Sequence, residues 1–268
     1  MPKKSTKSFL VGHPLCAFCG GFSSAETIEH CPPRAMFERR WWPEGYEFPS
    51  CAKCNSDSSD DDLLVAFLAR MNPVDDVGDR DGKVIGLIKM INRQMPDFFN
   101  SMWPTNSEAR RINRRAGVVP SRGETHQDAG ALLVPLRLDS AVKRFSAKLS
   151  KALYYKATGL VFPEGGEIAG IWFTNFDFLV HGYFPIFREL RDIYGIVPDH
   201  VRSSESLNEQ FSVKWSMDDD RKWFVMQAMF GKSFGLVTFG SIETGLVGKT
   251  VRDLNVSGEE SRLFLIED

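Results

Sequence analysis

Two Cys-x-x-Cys pairs, Cys16 with Cys19 and Cys51 with Cys54, bracket 31 residues near the start of the chain, and no other feature restricts the fold as tightly. The two-residue gap puts both sulfurs of a pair on one tight turn, and two such turns close a tetrahedral four-thiolate site of the structural zinc kind. All five cysteines fall within the first 54 residues, which argues against a disulfide framework. Neither pair sits in the βαβ pattern of thioredoxin-type proteins, so metal ligation is the better reading in a reducing compartment. Structural zinc on Cys16, Cys19, Cys51 and Cys54 is the expectation, with Cys31 left over as a small core residue. Gly20 and Gly21 follow the first knuckle, where the turn demands positive backbone angles.

Inside the insertion lies Glu26-Thr27-Ile28-Glu29-His30-Cys31-Pro32-Pro33. A short strand over Thr27–His30 would send Glu29 and His30 to opposite faces, or let them diverge at the strand end before the prolines stop it. After the second knuckle, Asn55 precedes an acidic run, Asp60-Asp61-Asp62, that opens a helix reaching Met71. Leu63, Leu64, Phe67, Leu68 and Met71 have helical spacing, and Ser59 with Asp62 offers a cap. Each feature alone has a structural reading: a core histidine, or acids that complement a helix dipole. Together they suit phosphodiester hydrolysis. An imidazole titrating near neutrality takes a proton from water, and one hard cation held by two carboxylates supplies positive charge at the phosphate.

The order CxxC, then Glu-His followed by Pro-Pro and Phe37, then CxxC-Asn and an acidic helix start, resembles the zinc-knuckle branch of the HNH endonucleases over roughly residues 14–70. The resemblance implies a β-hairpin and helix (ββα-metal) that grips one catalytic divalent ion, usually magnesium, with zinc as a separate structural ion. It matches His30 to the general base, Glu29 to the acidic metal ligand and Asn55 to the residue that steadies the hairpin. The family's helix ligand is a histidine in many members and an acid in others. Because no histidine lies between Cys31 and Thr125, Asp61 is the first choice, Asp62 the second and Asp60 the third. A setting in bacterial defence or mobile elements is a further implication of the resemblance, and DNA is the expected substrate. The rival expectation is a non-catalytic zinc module that docks nucleic acid or protein.

Net charge is −2, so a nucleic-acid partner must be met by local patches. Arg34, Arg39 and Arg40 lie inside the insertion and are candidate phosphate contacts, while Trp41 and Trp42 read as packing. Arg110, Arg111, Arg114 and Arg115 form a second basic run, and Lys143, Arg144, Lys148 and Lys151 a weaker third on the polar side of a predicted helix. His181 and His200 have no ligand spacing to one another and read as core or surface.

With 43% hydrophobic residues the chain can bury a sizeable core, and no apolar run approaches a membrane span. A cytoplasmic protein is expected. The predicted organisation is α+β: an HNH-like zinc-knuckle unit over 8–72, a helical and loop connection over 73–130, and an α+β domain with a mostly antiparallel sheet over 131–268. Helices are predicted near Val84–Asn92 and over Ser140–Thr158, a loop over 121–128 and a strand over 131–138. Further apolar or alternating segments are Ile168–Phe173, Phe176–Tyr183, Gln210–Trp215, Trp223–Phe230, Leu236–Phe239 and Leu263–Ile266.

Overall fold

The computed structural model describes residues 6–71, 81–183 and 195–249, together with the backbone of Phe264–Ile266. Asn72 at the end of the predicted N-terminal unit, residues 73–80 of the predicted connection, and Leu263 of the last apolar segment lie outside the described residues.

A seven-residue helix, α1 (Thr6–Gly12), leads into the cysteine unit. There β1 (Thr27–His30) pairs antiparallel with β2 (Glu47–Ser50), and His30 stands opposite Glu47. The second knuckle opens α2 (Ala52–Asp57), and α3 (Ser59–Arg70) follows after a single residue. Three acids in the first turn of α3 complement its dipole, and its apolar stripe places Leu64, Val65 and Phe67 in the core.

Among the described residues of the connection two α-helices stand out. The predicted helix near Val84 is observed as α4 (Val84–Gln94). The basic run forms α5 (Asn106–Ala116), which starts on a reciprocal cap: Thr105 and Glu108 satisfy each other's backbone amides. Residues 131–135 form no strand. Pro135 instead begins α6 (Leu136–Thr158), four residues earlier than the periodicity predicts, and left-handed Gly159 ends it. Proline is compatible with a helix start because no partner is needed for its missing amide hydrogen.

The remainder is a five-stranded antiparallel sheet of β3 (Glu167–Thr174), β6 (Ser212–Met217), β7 (Trp223–Phe230), β8 (Phe234–Ser241) and β9 (Phe264–Ile266). Their spatial order is β6-β7-β8-β3-β9. The segment after β3 is the helix α7 (Asn175–His181), capped by Thr174, and the small hairpin of β4 (Val201–Arg202) and β5 (Glu205–Ser206) stands apart from the main sheet. The fold is thus α+β with antiparallel sheets.

Alternate residues of β7, namely Phe224, Met226, Ala228 and Phe230, are buried, as a strand with one face on a core requires. That core belongs to α6, whose Phe145 meets Phe230 with ring centres 5.5 Å apart. On its other side α6 packs along α3. A single cluster of buried apolar residues therefore runs from the cysteine unit (Phe37, Phe48, Leu64) through α6 (Leu138, Phe145, Leu149) to the sheet (Phe230, Phe234, Leu236).

Candidate active site

The four cysteines predicted to act together do converge. One sulfur from each of Cys16, Cys19, Cys51 and Cys54 lies within 4.8 Å of all the others. A tetrahedron of ~2.3 Å metal–sulfur bonds has edges of about 3.8 Å, so the cluster is close enough to hold a metal such as zinc. Gly20 and Gly21 take φ of 67° and 81° at the first turn. The amides of Phe18 and Cys54 each point at a sulfur, of Cys16 and Cys51 respectively, at 3.4 Å. Hydrogen bonding from Cys54 holds the Cys16 thiol down at about 4, and the same interaction pushes Cys54 up. The Ala17 amide donates to Pro49 O at 2.9 Å, which ties the first knuckle to β2. Cys31 is fully buried in the apolar cluster and is not one of the four.

Glu29 and His30 point to different surroundings, as adjacent residues of a strand must. Glu29 is buried and faces α3 and α6, where Lys148 Nζ donates to its Oε1 at 2.9 Å. The same ammonium reaches Asp62 Oδ2 at 2.8 Å, Asp62 Oδ1 at 3.1 Å and Ser58 Oγ at 2.8 Å. Glu29 and Asp62 thus converge on one point. Asp61, the first choice as helix ligand, turns elsewhere: its two carboxylate oxygens take the Arg144 guanidinium at 2.6 and 2.7 Å. Asp60 pairs with Arg137 at 3.0 Å. One residue along a helix is a rotation of about 100°, enough to give neighbouring acids different partners. Asn55 donates its side-chain amide to Thr27 Oγ1 at 3.1 Å and so links the second knuckle to β1.

Burial raises the carboxyl pKa of Glu29 above the usual range, and Asp62 adds to the rise while Lys148 opposes it. Asp62 is raised for the same first reason. For Lys148, burial works against the charge, but Asp62 and Glu29 outweigh it and the pKa ends above that of a free lysine. Two hydrogen-bonded carboxylates around one ammonium leave the group with a formal charge of about −1.

His30 lies against Trp42, ring centres 4.6 Å apart, among cationic groups. Its pKa is lowered to about 4, first by burial and then by Arg34, Arg202 and Arg40. The imidazole is therefore neutral at pH 7 and able to accept a proton. An anionic phosphate in this position would offset the arginines and raise its basicity. Arg39 and Arg40 take left-handed backbone angles, φ 53° and 56°. They line a cleft of about 530 Å³ together with Ser59, Asp62, Arg70 and Lys83. A second cleft, about 360 Å³, opens on the side of Asp57, Ser58, Asp61, Arg144 and Lys148, so Asp62 borders both.

Two contributors escape a reading of local motifs. Lys148 belongs to the third basic group, in which Arg144, Lys148 and Lys151 share one helical stripe at i, i+4 and i+7. That spacing is the signal that could have separated them from Lys143, which pairs with Asp139 on its own helix. Arg202 sits 160 residues beyond Trp42, and nothing in its local sequence marks it. Arg110, Arg111, Arg114 and Arg115 are exposed on α5, His181 is exposed and His200 is buried. Among the described residues no helix is long and apolar enough to cross a membrane. Comparison with known proteins finds no family model, no curated protein and no solved structure that matches the chain.

Proposed function

We propose that the cysteine-braced hairpin and helix form an HNH-type nuclease centre that hydrolyses phosphodiester bonds in DNA. The observation that carries the proposal is the convergence of Glu29 on β1 with Asp62 on α3, while His30, the following residue of the same strand, faces a group of arginines. In this reading the four cysteines hold a structural zinc ion and keep β1, β2 and α2 in register, with Asn55 bracing the strand that carries the base.

The donor set around Lys148 Nζ consists of hard oxygens that already surround a cation, which fits a divalent ion such as magnesium once the ammonium has withdrawn. Glu29 and Asp62 would hold that ion, and the chemistry it supplies is charge stabilisation at the phosphate and leaving oxygen. Asp62 replaces Asp61 as the favoured helix ligand because it meets Glu29 at one point, on Lys148 Nζ, whereas Asp61 turns to Arg144. His30 accepts the proton of the attacking water. Arg34 and Arg40 hold the phosphate, and Arg39 lines the approach along the larger cleft.

A second reading rests on Lys148 itself. A lysine that satisfies both carboxylates is also what a zinc module without catalysis would carry, docking nucleic acid or protein. Incubation of supercoiled plasmid with magnesium or manganese separates the two. Nicking or linearisation by the wild type, and at least a hundredfold slower cleavage by His30→Ala, is expected for general-base catalysis. Equal inactivity of the two proteins on DNA and RNA of several forms refutes the nuclease proposal.

A further inference from the structure

The β4–β5 hairpin is a short, stiff device. Arg202 pairs with Glu205 across a two-residue turn, and both turn residues, Ser203 and Ser204, are left-handed at φ 50° and 68°. Such a turn matches the twist of antiparallel strands and leaves little freedom at its base. The hairpin is also fastened to the cysteine unit. The Glu44 amide donates to Val201 O at 3.1 Å, and the Ser203 amide donates to Glu44 Oε1 at 3.1 Å.

From this mount Arg202 reaches Trp42. Its guanidinium carbon is 3.7 Å from the ring centre, and Nη1 donates to the Trp42 carbonyl at 3.3 Å. Arg34 lies 4.1 Å from a ring centre of the same residue, and His30 packs at its edge. Glu47 takes the Trp42 indole proton at 2.8 Å and fixes the ring that both guanidiniums share. Among the described residues, none of Arg34, Arg40 and Arg202 has a carboxylate partner, and Arg34 Nε is buried with no hydrogen-bond acceptor. Cation–π contact holds a guanidinium in place but does not neutralise it. Two guanidiniums stacked on one indole and an unfilled Arg34 donor outweigh the single carboxylate of Glu47 at the indole edge, so the site carries net positive charge and can take a further anion.

We propose that Arg202, together with Arg34 and Arg40, clamps phosphates of the DNA backbone against the His30 face, so that the C-terminal half contributes directly to substrate binding. The inference rests on the nuclease reading for its substrate. The contact is to backbone and carries no base sequence, which makes Arg202 a positioning residue.

The test uses the full-length, zinc-loaded chain with a fluorescein-labelled 20-base-pair duplex, without added magnesium, and follows anisotropy from 50 to 200 mM NaCl. Arg202→Ala is expected to bind about tenfold more weakly. The slope of log K against log salt should fall by about 1, as the loss of one phosphate contact requires. Arg202→Met keeps most of the packing stem and should lose the same slope, whereas Arg202→Lys should retain it. In cleavage assays the Ala and Met variants should raise KM more than they lower kcat. Wild-type affinity and slope in both variants overturns the clamp, as does failure of the wild type to bind the duplex. If Arg202→Ala does not fold, the Met variant decides by the same slope. The two proposals fail separately: Arg202-dependent binding without cleavage removes the nuclease reading and leaves the clamp, and cleavage with wild-type KM in both variants does the reverse.

Discussion

Replacing Lys148 with methionine takes the cation out of a site that is almost closed to water. The Lys148 side chain is 11% exposed, and its partners Glu29 and Asp62 are 8% and 18% exposed. Methionine fills similar space but leaves two carboxylates and Ser58 Oγ facing each other with nothing between them. Breaking a buried pair by removing one partner destabilises by roughly 3–5 kcal/mol. The lower end applies here, because burial already raises the pKa of Glu29 and one carboxyl can take up a proton to relieve the repulsion. A loss of about 3 kcal/mol is therefore expected, which at a urea m-value of ~3 kcal/mol/M moves the unfolding midpoint down by about 1 M. Manganese should then do what the ammonium did: at a hundred times its Kd it returns about 2.7 kcal/mol. The wild type should gain less from the same addition, because the metal must first displace Lys148. Urea titrations of both proteins, with and without manganese, measure these quantities. A Lys148→Met protein as stable as the wild type refutes the argument that the lysine satisfies two buried charges. A destabilised variant that manganese does not rescue refutes the claim that the carboxylates can hold a divalent ion.

Asp61→Asn and Asp62→Asn should part company: the first keeps metal-dependent cleavage and loses no more than about 1 kcal/mol, because Arg144 is half exposed, and the second abolishes cleavage and manganese binding. The opposite result would return the ligand role to Asp61. Zinc should co-purify at about one ion per chain, and Cys51→Ser should lose it together with the dispersed amide resonances of residues 14–60; a folded, zinc-free variant argues against a structural ion. His200 is buried against Tyr46, its Nε2 2.7 Å from the phenol oxygen, and burial holds its pKa at about 4 despite an opposing hydrogen bond accepted by Asn208 Oδ1. An unfolded-state histidine titrates near 6.5, so the unfolded chain binds this proton first: the stability is present above that pH and is lost as pH falls towards 4. Between pH 7.5 and 5 the wild type should lose about 2 kcal/mol through this residue, and His200→Gln should show a correspondingly flatter urea-midpoint profile. An unchanged profile in the variant would assign the acid sensitivity to other groups.

The legible parts of the candidate site are those encoded by spacing along a few residues. Each cysteine pair acts through one turn, Glu29 and His30 diverge because a strand alternates, and Asn55 lies one residue after Cys54 of the second pair. The acidic run shows where this stops. Asp60, Asp61 and Asp62 are equivalent in the sequence, and only partners from α6, some 80 residues away, sort them into an exposed ion pair, a guanidinium clamp and the neighbour of Glu29. Arg202 is further still, delivered by a hairpin that no periodicity announces. The sheet was readable from the alternation of segments such as Trp223–Phe230. Residues 131–138 misled because a short apolar run before a helix looks like a strand until Pro135 is recognised as the helix start. The start of α5 was written in Thr105 and Glu108, a reciprocal cap hidden by the polarity of the helix after it.

Helix α6 has one consequence for how the molecule can respond to force or ligand. It is a rod of about 34 Å whose two sides are both committed: Phe145 is keyed into Phe230 of the sheet, while Arg144 and Lys148 are latched to Asp61 and to the Glu29–Asp62 pair. A slip of one residue along the axis, about 1.5 Å of travel and 100° of rotation, would unseat both latches together. The sheet and the carboxylates are thus braced by one shaft, so a shift of α6 itself would reach both at once.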